Sequence, residues 1–133
     1  MAQLITFPRK DKRRHTILVV DHEPVIRELL CSALNDAGFN AFAVPSADDA
    51  ARMLDRGIFA IDLVFCDAEV PGILNGYALE GWVMENKPGL PVLLASDQSQ
   101  AAAEWTEIAN PYDIPQAVRR IRTTLERSIK RRA

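Results

Sequence analysis

A chain of 133 residues, 48% of them hydrophobic, can form one buried core but is short for two domains. No apolar run approaches the ~20 residues that span a bilayer, and the N-terminus lacks the apolar segment of a secretory signal. We therefore expect a single cytoplasmic domain that does not enter a membrane.

Charge is distributed unevenly along the chain, although the net charge is only −2. Residues 1–15 hold five Lys or Arg and residues 119–133 hold seven, whereas residues 16–118 hold sixteen acids and four bases. Basic ends of this kind are more often solvated charge than a contact with nucleic acid or membrane. We therefore expect neither nucleic acid nor a membrane among the partners.

The chain starts with a basic leader, residues 1–14, which has no sustained hydrophobic period and is predicted to be flexible. The first strand follows at Thr16–Val20 and runs directly into Asp21. Pro24 suits the first turn of a helix, and Gly38 ends that helix. The apolar face predicted for this helix consists of Val25, Ile26, Leu29, Leu30, Ala33, Leu34 and Ala37.

The next two strands lead to a second acid. Asn40–Val44 is predicted as the second strand, and Ser46 with Asp49 three residues later forms a capping pair for the helix that follows. The third strand is the uninterrupted apolar run Leu63–Cys66, which suits a parallel strand buried on both faces. This strand places Asp67 at its carboxyl end.

The second half of the chain continues the alternation of helices and strands. Gly76–Lys87 is predicted as a helix, Leu90–Ala95 as the fourth strand and Trp105–Ala109 as the fifth. Asp113 begins the last helix. The residues of this helix predicted to face inward are Ile114, Val118, Ile121, Leu125 and Ile129.

Strands that alternate with helices through five cycles predict a doubly wound α/β fold, with a parallel sheet in the order 2-1-3-4-5 between two layers of helices. In that order, Asp21 and Asp67 meet at one edge of the sheet, where paired carboxylates suit a hard cation such as Mg²⁺. Either acid alone could equally be a helix cap. Cys31 and Cys66 have no paired spacing and are expected to pack as small hydrophobic residues.

Three segments carry a resemblance to a known family. Residues 17–24 (Ile-Leu-Val-Val-Asp-His-Glu-Pro), 67–72 (Asp-Ala-Glu-Val-Pro-Gly) and 91–96 (Pro-Val-Leu-Leu-Ala-Ser) resemble the receiver domain of two-component response regulators. The resemblance covers residues 15–128 and implies a flavodoxin-like fold. Residues 129–133 would then form a basic tail.

This resemblance implies a role for several residues. Asp67 matches the phosphoacceptor, Asp21 matches a metal-binding acid, and Ser96 matches a hydroxyl that contacts the phosphoryl group. Asp67 itself and the backbone carbonyl of Glu69 would also contact the metal, His22 is a further candidate ligand, and the implied cofactor is weakly bound Mg²⁺. A carboxylate that attacks phosphorus needs such partners, because a cation and positioned donors must offset the accumulated negative charge.

Several positions depart from the family pattern. His22 stands where a second metal-binding acid is expected, and Asn110 stands where a Lys precedes the proline after the fifth strand. Imidazole is a poorer Mg²⁺ ligand than a carboxylate, and an amide cannot supply a cationic contact to an aspartyl phosphate. Only thirteen residues separate Ser96 from Asn110, so the fourth helix should be shortened or missing. Glu107 occupies the place of the usual switch aromatic.

Two functions of different classes follow from these observations. The first is a response-regulator receiver that accepts a phosphoryl group on Asp67 from a sensor histidine kinase or phosphotransfer protein and signals to a downstream protein partner, with a homodimer left open. The second is a degenerate receiver that acts as an interaction module independent of phosphorylation, and positions 22 and 110 separate the two. No enzyme activity is expected, because a phosphate-ester hydrolase would need substrate-binding loops that this chain lacks.

Overall fold

The computed structural model describes residues 14–98 and 106–132. Helices and strands alternate along these residues: β1 (Thr16–Val20), α1 (Pro24–Asp36), β2 (Asn40–Val44), α2 (Ala47–Arg56), β3 (Leu63–Asp67), α3 (Gly76–Asn86), β4 (Val92–Ser96), β5 (Glu107–Ala109) and α4 (Ile114–Arg132). The predicted leader, except Arg14, lies outside the described residues. None of the helices described has both the length and the hydropathy of a membrane span.

The five strands form one parallel sheet in the order β2-β1-β3-β4-β5. Val20 of β1 pairs with Cys66 of β3, and Asp67 of β3 pairs with Ala95 of β4. This order confirms the predicted flavodoxin-like α/β fold. It also places β1 and β3 side by side at the switch point, where such sheets bind ligands beyond the carboxyl ends of the strands.

The sheet lies between two hydrophobic layers. Helices α2 and α3 cover one face and contribute Leu54 and Leu79 to its core, whereas α1 and α4 cover the other face, where Ile121 is buried. Alternate strand residues point to opposite faces, so Leu18 belongs to the first layer and Val19 to the second. Burial on both faces explains why the strands are continuous apolar runs rather than alternating ones.

The apolar face of α1 is narrower than predicted. Leu30 and Leu34 are buried against the sheet, but Val25 and Leu29 are 65% and 52% exposed. Successive helix residues are about 100° apart, so Leu29 lies to one side of the stripe that contains Leu30. The sheet covers only that stripe, and the prediction that Val25 and Leu29 face the core is therefore wrong.

The last helix extends beyond the predicted end of the domain. α4 continues to Arg132, so residues predicted to form a basic tail are part of the helix. Its 19 residues span about 28 Å, whereas the five residues of a strand such as β4 span about 17 Å, so α4 is longer than the strands it covers. Ile129 lies in the last turn of α4 and is 36% exposed, which contradicts its predicted inward position.

The predicted loss of the fourth helix falls on a segment that is described only in part, because residues 99–105 lie outside the described residues. Four helices occur in the part of the chain that is described. The three residues of β5, Glu107–Ala109, fall within the predicted strand Trp105–Ala109, and they pair with Leu94–Ser96 of β4. Trp105 itself is outside the described residues.

Predictions made from single residues also hold. The hydroxyl of Ser46 accepts a hydrogen bond from the N–H of Asp49 at 3.0 Å and so caps α2. Cys31 and Cys66 are free thiols, half-buried and buried respectively. Burial raises the pKa of Cys31 to about 11 and also raises the pKa of Cys66, so neither thiol ionises readily at neutral pH.

Candidate functional site

Two carboxylates meet where β1 and β3 end. Asp21 follows the last residue of β1, Asp67 is the last residue of β3, and the pairing of Val20 with Cys66 sets the two strand ends level. Asp21 is 8% exposed and Asp67 is 9% exposed. The structure therefore brings together the two acids that the sequence singled out, in a pocket with little access to water.

Each carboxylate is oriented by the backbone that follows it. The N–H of Glu23 donates to Oδ1 of Asp21 at 2.9 Å, and the N–H of Glu69 donates to Oδ1 of Asp67 at 3.0 Å. These bonds from residue i+2 are the local turns that Asp forms readily at the end of a strand. Both side chains are thus held by the chain that leaves the strand, while the side chains of Glu23 and Glu69 are exposed.

A third ligand-type side chain borders the two acids. Nδ1 of His22 lies 4.0 Å from Oδ2 of Asp67, and the His22 side chain is 47% exposed. One ligand atom from each of Asp21, His22 and Asp67 lies within 4.8 Å of the others. Two nearly buried carboxylates fit a hard divalent cation, and the imidazole at the rim is compatible with one although it adds no negative charge.

The electrostatics of the pocket disfavour the charged form of Asp21. Burial raises the pKa of this carboxyl group, and the negative charge of Asp67 raises it further. The hydrogen bond from the N–H of Glu23 acts in the opposite direction but is outweighed. A bound cation would relieve the repulsion between the carboxylates of Asp21 and Asp67. This repulsion is a second indication that the pocket suits a cation.

Ser96 ends β4, the strand next to β3. It directly follows Ala95, the residue that pairs with Asp67, and it is 0% exposed. Its Oγ lies 2.7 Å from the hydroxyl oxygen of Tyr77 and accepts a hydrogen bond from the N–H of Gln98 at 3.1 Å. The hydroxyl that the resemblance assigned to the phosphoryl group is thus fixed by two partners beside the acidic pocket.

The start of α3 packs unusually closely against the end of β3. The N–H of Gly76 donates to the carbonyl of Ala68 at 3.0 Å, and a Cβ at position 76 would lie 2.6 Å from Cα of Ala68 and 2.8 Å from the carbonyl oxygen of Asp67. Only glycine allows this approach. The side chain of Asn75 caps the helix by accepting from the N–H of Ala78 at 2.9 Å.

Asp48 of α2 holds the loop between Asp67 and α3. Its two carboxylate oxygens accept from the N–H groups of Ile73 and Leu74, at 3.1 and 3.2 Å. A Cβ at Gly72 would overlap Oδ2 of Asp48, and Gly72 has a φ of +135°, a region that other residues rarely adopt. The loop beside the phosphoacceptor candidate is therefore tied to a neighbouring helix.

The segment after β5 occupies the place where the family has its lysine. The N–H of Asn110 donates to the carbonyl of Ser96 at 3.0 Å, and the peptide bond to Pro111 is cis. Tyr112 packs edge-on against Phe65, with ring centroids 5.4 Å apart. Its buried hydroxyl has no hydrogen-bond partner among the described residues, and burial together with the charges of nearby acids raises its pKa.

The replaced switch position forms part of a second acidic pair. Glu107 of β5 is half-buried, and its charge contributes to raising the pKa of the half-buried Glu80 on α3, although burial is the larger cause. The guanidinium of Arg120 donates to the carbonyl of Glu107 at 2.6 Å. The surface at this position is therefore acidic where the family pattern places an aromatic ring.

Sequence reasoning missed three residues that shape the site: Tyr77, Gly76 and Asp48. Gly76 could have been noticed, since a glycine at a helix start shortly after a Pro-Gly turn indicates a close backbone approach. The contacts of Tyr77 and Asp48 depend on how α3 and α2 pack against the sheet. No pattern within either helix reports that packing.

Comparisons with known proteins find the family that the sequence resembles. The family model of the response regulator receiver domain matches residues 17–110, within the predicted domain of residues 15–128. TcrX of Mycobacterium tuberculosis is 30% identical over 131 residues, which cover 90% of this chain and 53% of TcrX. The heme response regulator HssR of Staphylococcus aureus is 27% identical over 118 residues, 83% of this chain and 51% of HssR. The chain thus spans about half the length of these relatives.

Solved structures show the same fold. The structure of NtrX from Brucella abortus in complex with ATP is similar with a TM-score of 0.74 and 29% identity, over 88% of this chain and 28% of that one. A CheY-like receiver domain protein from Methanospirillum hungatei gives a TM-score of 0.75 over 89% of this chain and 98% of its own. Because the identity to the Methanospirillum hungatei protein is only 16%, that comparison supports the fold alone.

Proposed function

The chain belongs to the response regulator receiver domain family, and on that premise we propose that Asp67 accepts a phosphoryl group and that the modified domain signals through protein contacts. The observation that carries the proposal is the pocket at the switch point, where Asp21 and Asp67 are held side by side and nearly buried. Two nearly buried carboxylates side by side, one of them with a pKa raised by burial, are typical of a functional site.

The proposed reaction is a simple transfer. A carboxylate oxygen of Asp67 attacks the phosphorus of a phosphohistidine on a sensor histidine kinase or phosphotransfer protein. A phosphorus–oxygen bond forms, the phosphorus–nitrogen bond breaks, and the imidazole leaves with the bonding electron pair. The N–H of Glu69, already bonded to Oδ1 of Asp67, holds the carboxylate in one orientation, which leaves the other oxygen to react.

Negative charge is the main obstacle to this transfer. The side chains of Asp21 and Asp67, with the backbone carbonyl of Glu69 and His22 at the rim, would hold a divalent cation such as Mg²⁺. The bound cation would neutralise part of the charge on the transferring phosphoryl oxygens. Ser96, buried at the end of the neighbouring strand, would donate its hydroxyl to one of those oxygens.

The modified domain would act through its surface. We propose that the domain acts in the cytoplasm, receives the phosphoryl group from a kinase or phosphotransfer protein, and passes the signal to a downstream protein partner. We expect no catalytic turnover of a separate substrate. Two replaced positions, His22 and Asn110, predict weak Mg²⁺ binding and slow modification, because one ligand charge and one cationic contact are missing.

The test is to treat the chain with acetyl phosphate and Mg²⁺ and to locate the modified residue by mass spectrometry. We expect modification at Asp67, none in Asp67→Asn, and a higher yield in the His22→Asp, Asn110→Lys double variant. If the double variant stays unmodified while folded, the pocket is not a phosphoacceptor site. If only the double variant reacts, the chain is the degenerate interaction module instead.

A further inference from the structure

A tyrosine that no family pattern assigns contacts the candidate phosphoryl-binding hydroxyl. The oxygens of Tyr77 and Ser96 are 2.7 Å apart, the ordinary distance for a hydrogen bond between hydroxyl groups, and the bond joins a partly exposed phenol on α3 to a fully buried serine on β4. We infer that Tyr77 is a positioning residue: it donates to Ser96 Oγ and thereby leaves the Ser96 proton for an oxygen of the phosphoryl group. This inference rests on the proposed function of Asp67.

The hydrogen-bond capacity of Ser96 supports this direction. A serine hydroxyl has one proton to donate and two lone pairs that accept. The N–H of Gln98 can only donate, so it occupies one lone pair of Ser96. If Tyr77 donates as well, both lone pairs of Ser96 Oγ are occupied. Ser96 can then interact with a ligand only by donating its hydroxyl proton.

The chemistry of the two hydroxyl groups favours the same direction. A phenol is a stronger hydrogen-bond donor than an aliphatic hydroxyl, because the aromatic ring withdraws electron density from the O–H group, so Tyr77 is the better donor of the pair. Donation into Ser96 Oγ also polarises the Ser96 O–H bond, which strengthens the hydrogen bond that Ser96 donates in turn. A relay from Tyr77 through Ser96 would thus favour the anionic phosphoryl oxygens over a neutral acceptor.

The backbone fixes the position of Tyr77 relative to Asp67. Gly76 precedes Tyr77 and lies so close to the backbone of Asp67 and Ala68 that no side chain would fit at position 76. Its N–H also donates a hydrogen bond to the carbonyl of Ala68. Asn75 caps the same turn of α3. These contacts hold the first turn of α3 in a fixed position relative to β3 and Asp67. The Tyr77 hydroxyl is therefore held in place beside Ser96.

The test is a double-mutant cycle on the rate of modification by acetyl phosphate with Mg²⁺. We expect Ser96→Ala to slow modification of Asp67 by on the order of 100-fold, as for loss of one positioned donor. Tyr77→Phe should slow it by about 3- to 10-fold, as for loss of one neutral hydrogen bond. Tyr77→Phe should have no further effect in the Ser96→Ala background, because Tyr77 acts through Ser96. Gly81→Ala, an open position on the same helix, serves as the control that should react like the wild type.

Several outcomes would overturn the inference. Faster modification of Tyr77→Phe would mean that Tyr77 competes for the Ser96 proton, and an equal slowing with and without Ser96 would mean that Tyr77 acts elsewhere. A wild-type rate in Tyr77→Phe would leave the tyrosine without a role while Asp67 keeps its own. If the wild-type chain is never modified at Asp67, the proposed function fails and this inference fails with it.

Discussion

Replacing Asp21 with Asn should stabilise the fold, although it removes a residue of the proposed site. Burial and the neighbouring charge of Asp67 both raise the pKa of Asp21, so its charged form destabilises the folded state at neutral pH. Asp21 and Asp67 have carboxylate oxygens within 4.8 Å of each other, and at that limit, with an effective dielectric constant of about 20, Coulomb's law gives a repulsion on the order of 3 kcal/mol. Part of this is offset because Asn accepts a weaker hydrogen bond from Glu23.

We therefore expect Asp21→Asn to raise the free energy of unfolding by about 1–2 kcal/mol at pH 7.5 without added metal. The sign of the pH dependence follows from the raised pKa. Below the unfolded pKa of about 3.9, Asp21 is protonated in both states, and the advantage of the variant is small. As the pH rises through the folded pKa, the wild type loses stability and the advantage of the Asp21→Asn variant appears in full.

Urea denaturation of the wild type and the variant at pH 4 and pH 7.5 measures this difference. Asp55→Asn is the control, because Asp55 is exposed in the last turn of α2 and should change stability by less than about 0.5 kcal/mol. Mg²⁺ should stabilise the wild type but not Asp21→Asn, so the difference should shrink as Mg²⁺ is added. A variant less stable than the wild type at pH 7.5 without metal would refute the reasoning.

Three further predictions concern the parts that support the pocket. His22→Asp should raise Mg²⁺ affinity on the order of tenfold in a calorimetric titration, because it adds an anionic ligand, and an unchanged affinity would mean that position 22 does not face the cation. Gly76→Ala should lower the free energy of unfolding, measured by urea denaturation, by about 2–3 kcal/mol, because the new Cβ would collide with backbone atoms. Gly81→Ala should leave stability unchanged or raise it, and equal effects of the two substitutions would contradict the close contact at Gly76. Asp48→Ala should speed hydrogen exchange at the amides of residues 73 and 74 by at least about tenfold, because both lose their acceptor. Asp48→Asn keeps one acceptor oxygen and should protect only one of the two amides. No change in either variant would show that the loop is held elsewhere.

The sequence predicted the framework of this site because that framework depends on local patterns. A continuous apolar run that ends in an acid specifies both a buried parallel strand and the residue at its carboxyl end, so Asp21 and Asp67 were predictable. Once strand order 2-1-3-4-5 is assumed, their proximity follows from topology alone. The cap at Ser46 was equally readable, since capping involves residues three apart.

The missed features depend on packing between distant elements. Tyr77 reaches Ser96 only because Gly76 lets α3 approach β3, and hydrophobic periodicity does not encode that distance. The exposure of Leu29 has a similar cause, because the sequence shows that a helix is amphipathic but not how wide a stripe its neighbours will cover.

The central claim is that the carboxylate of Asp67 forms an acyl phosphate, and reductive trapping tests it most directly. Borohydride supplies hydride that reduces an acyl phosphate to an alcohol with release of phosphate, whereas a free carboxylate does not react. After treatment with acetyl phosphate and Mg²⁺, peptide mass spectrometry should find homoserine at position 67 in the wild type and none in a sample reduced without the phosphodonor. Homoserine at another acid, such as Asp21, with residue 67 unchanged would contradict the account.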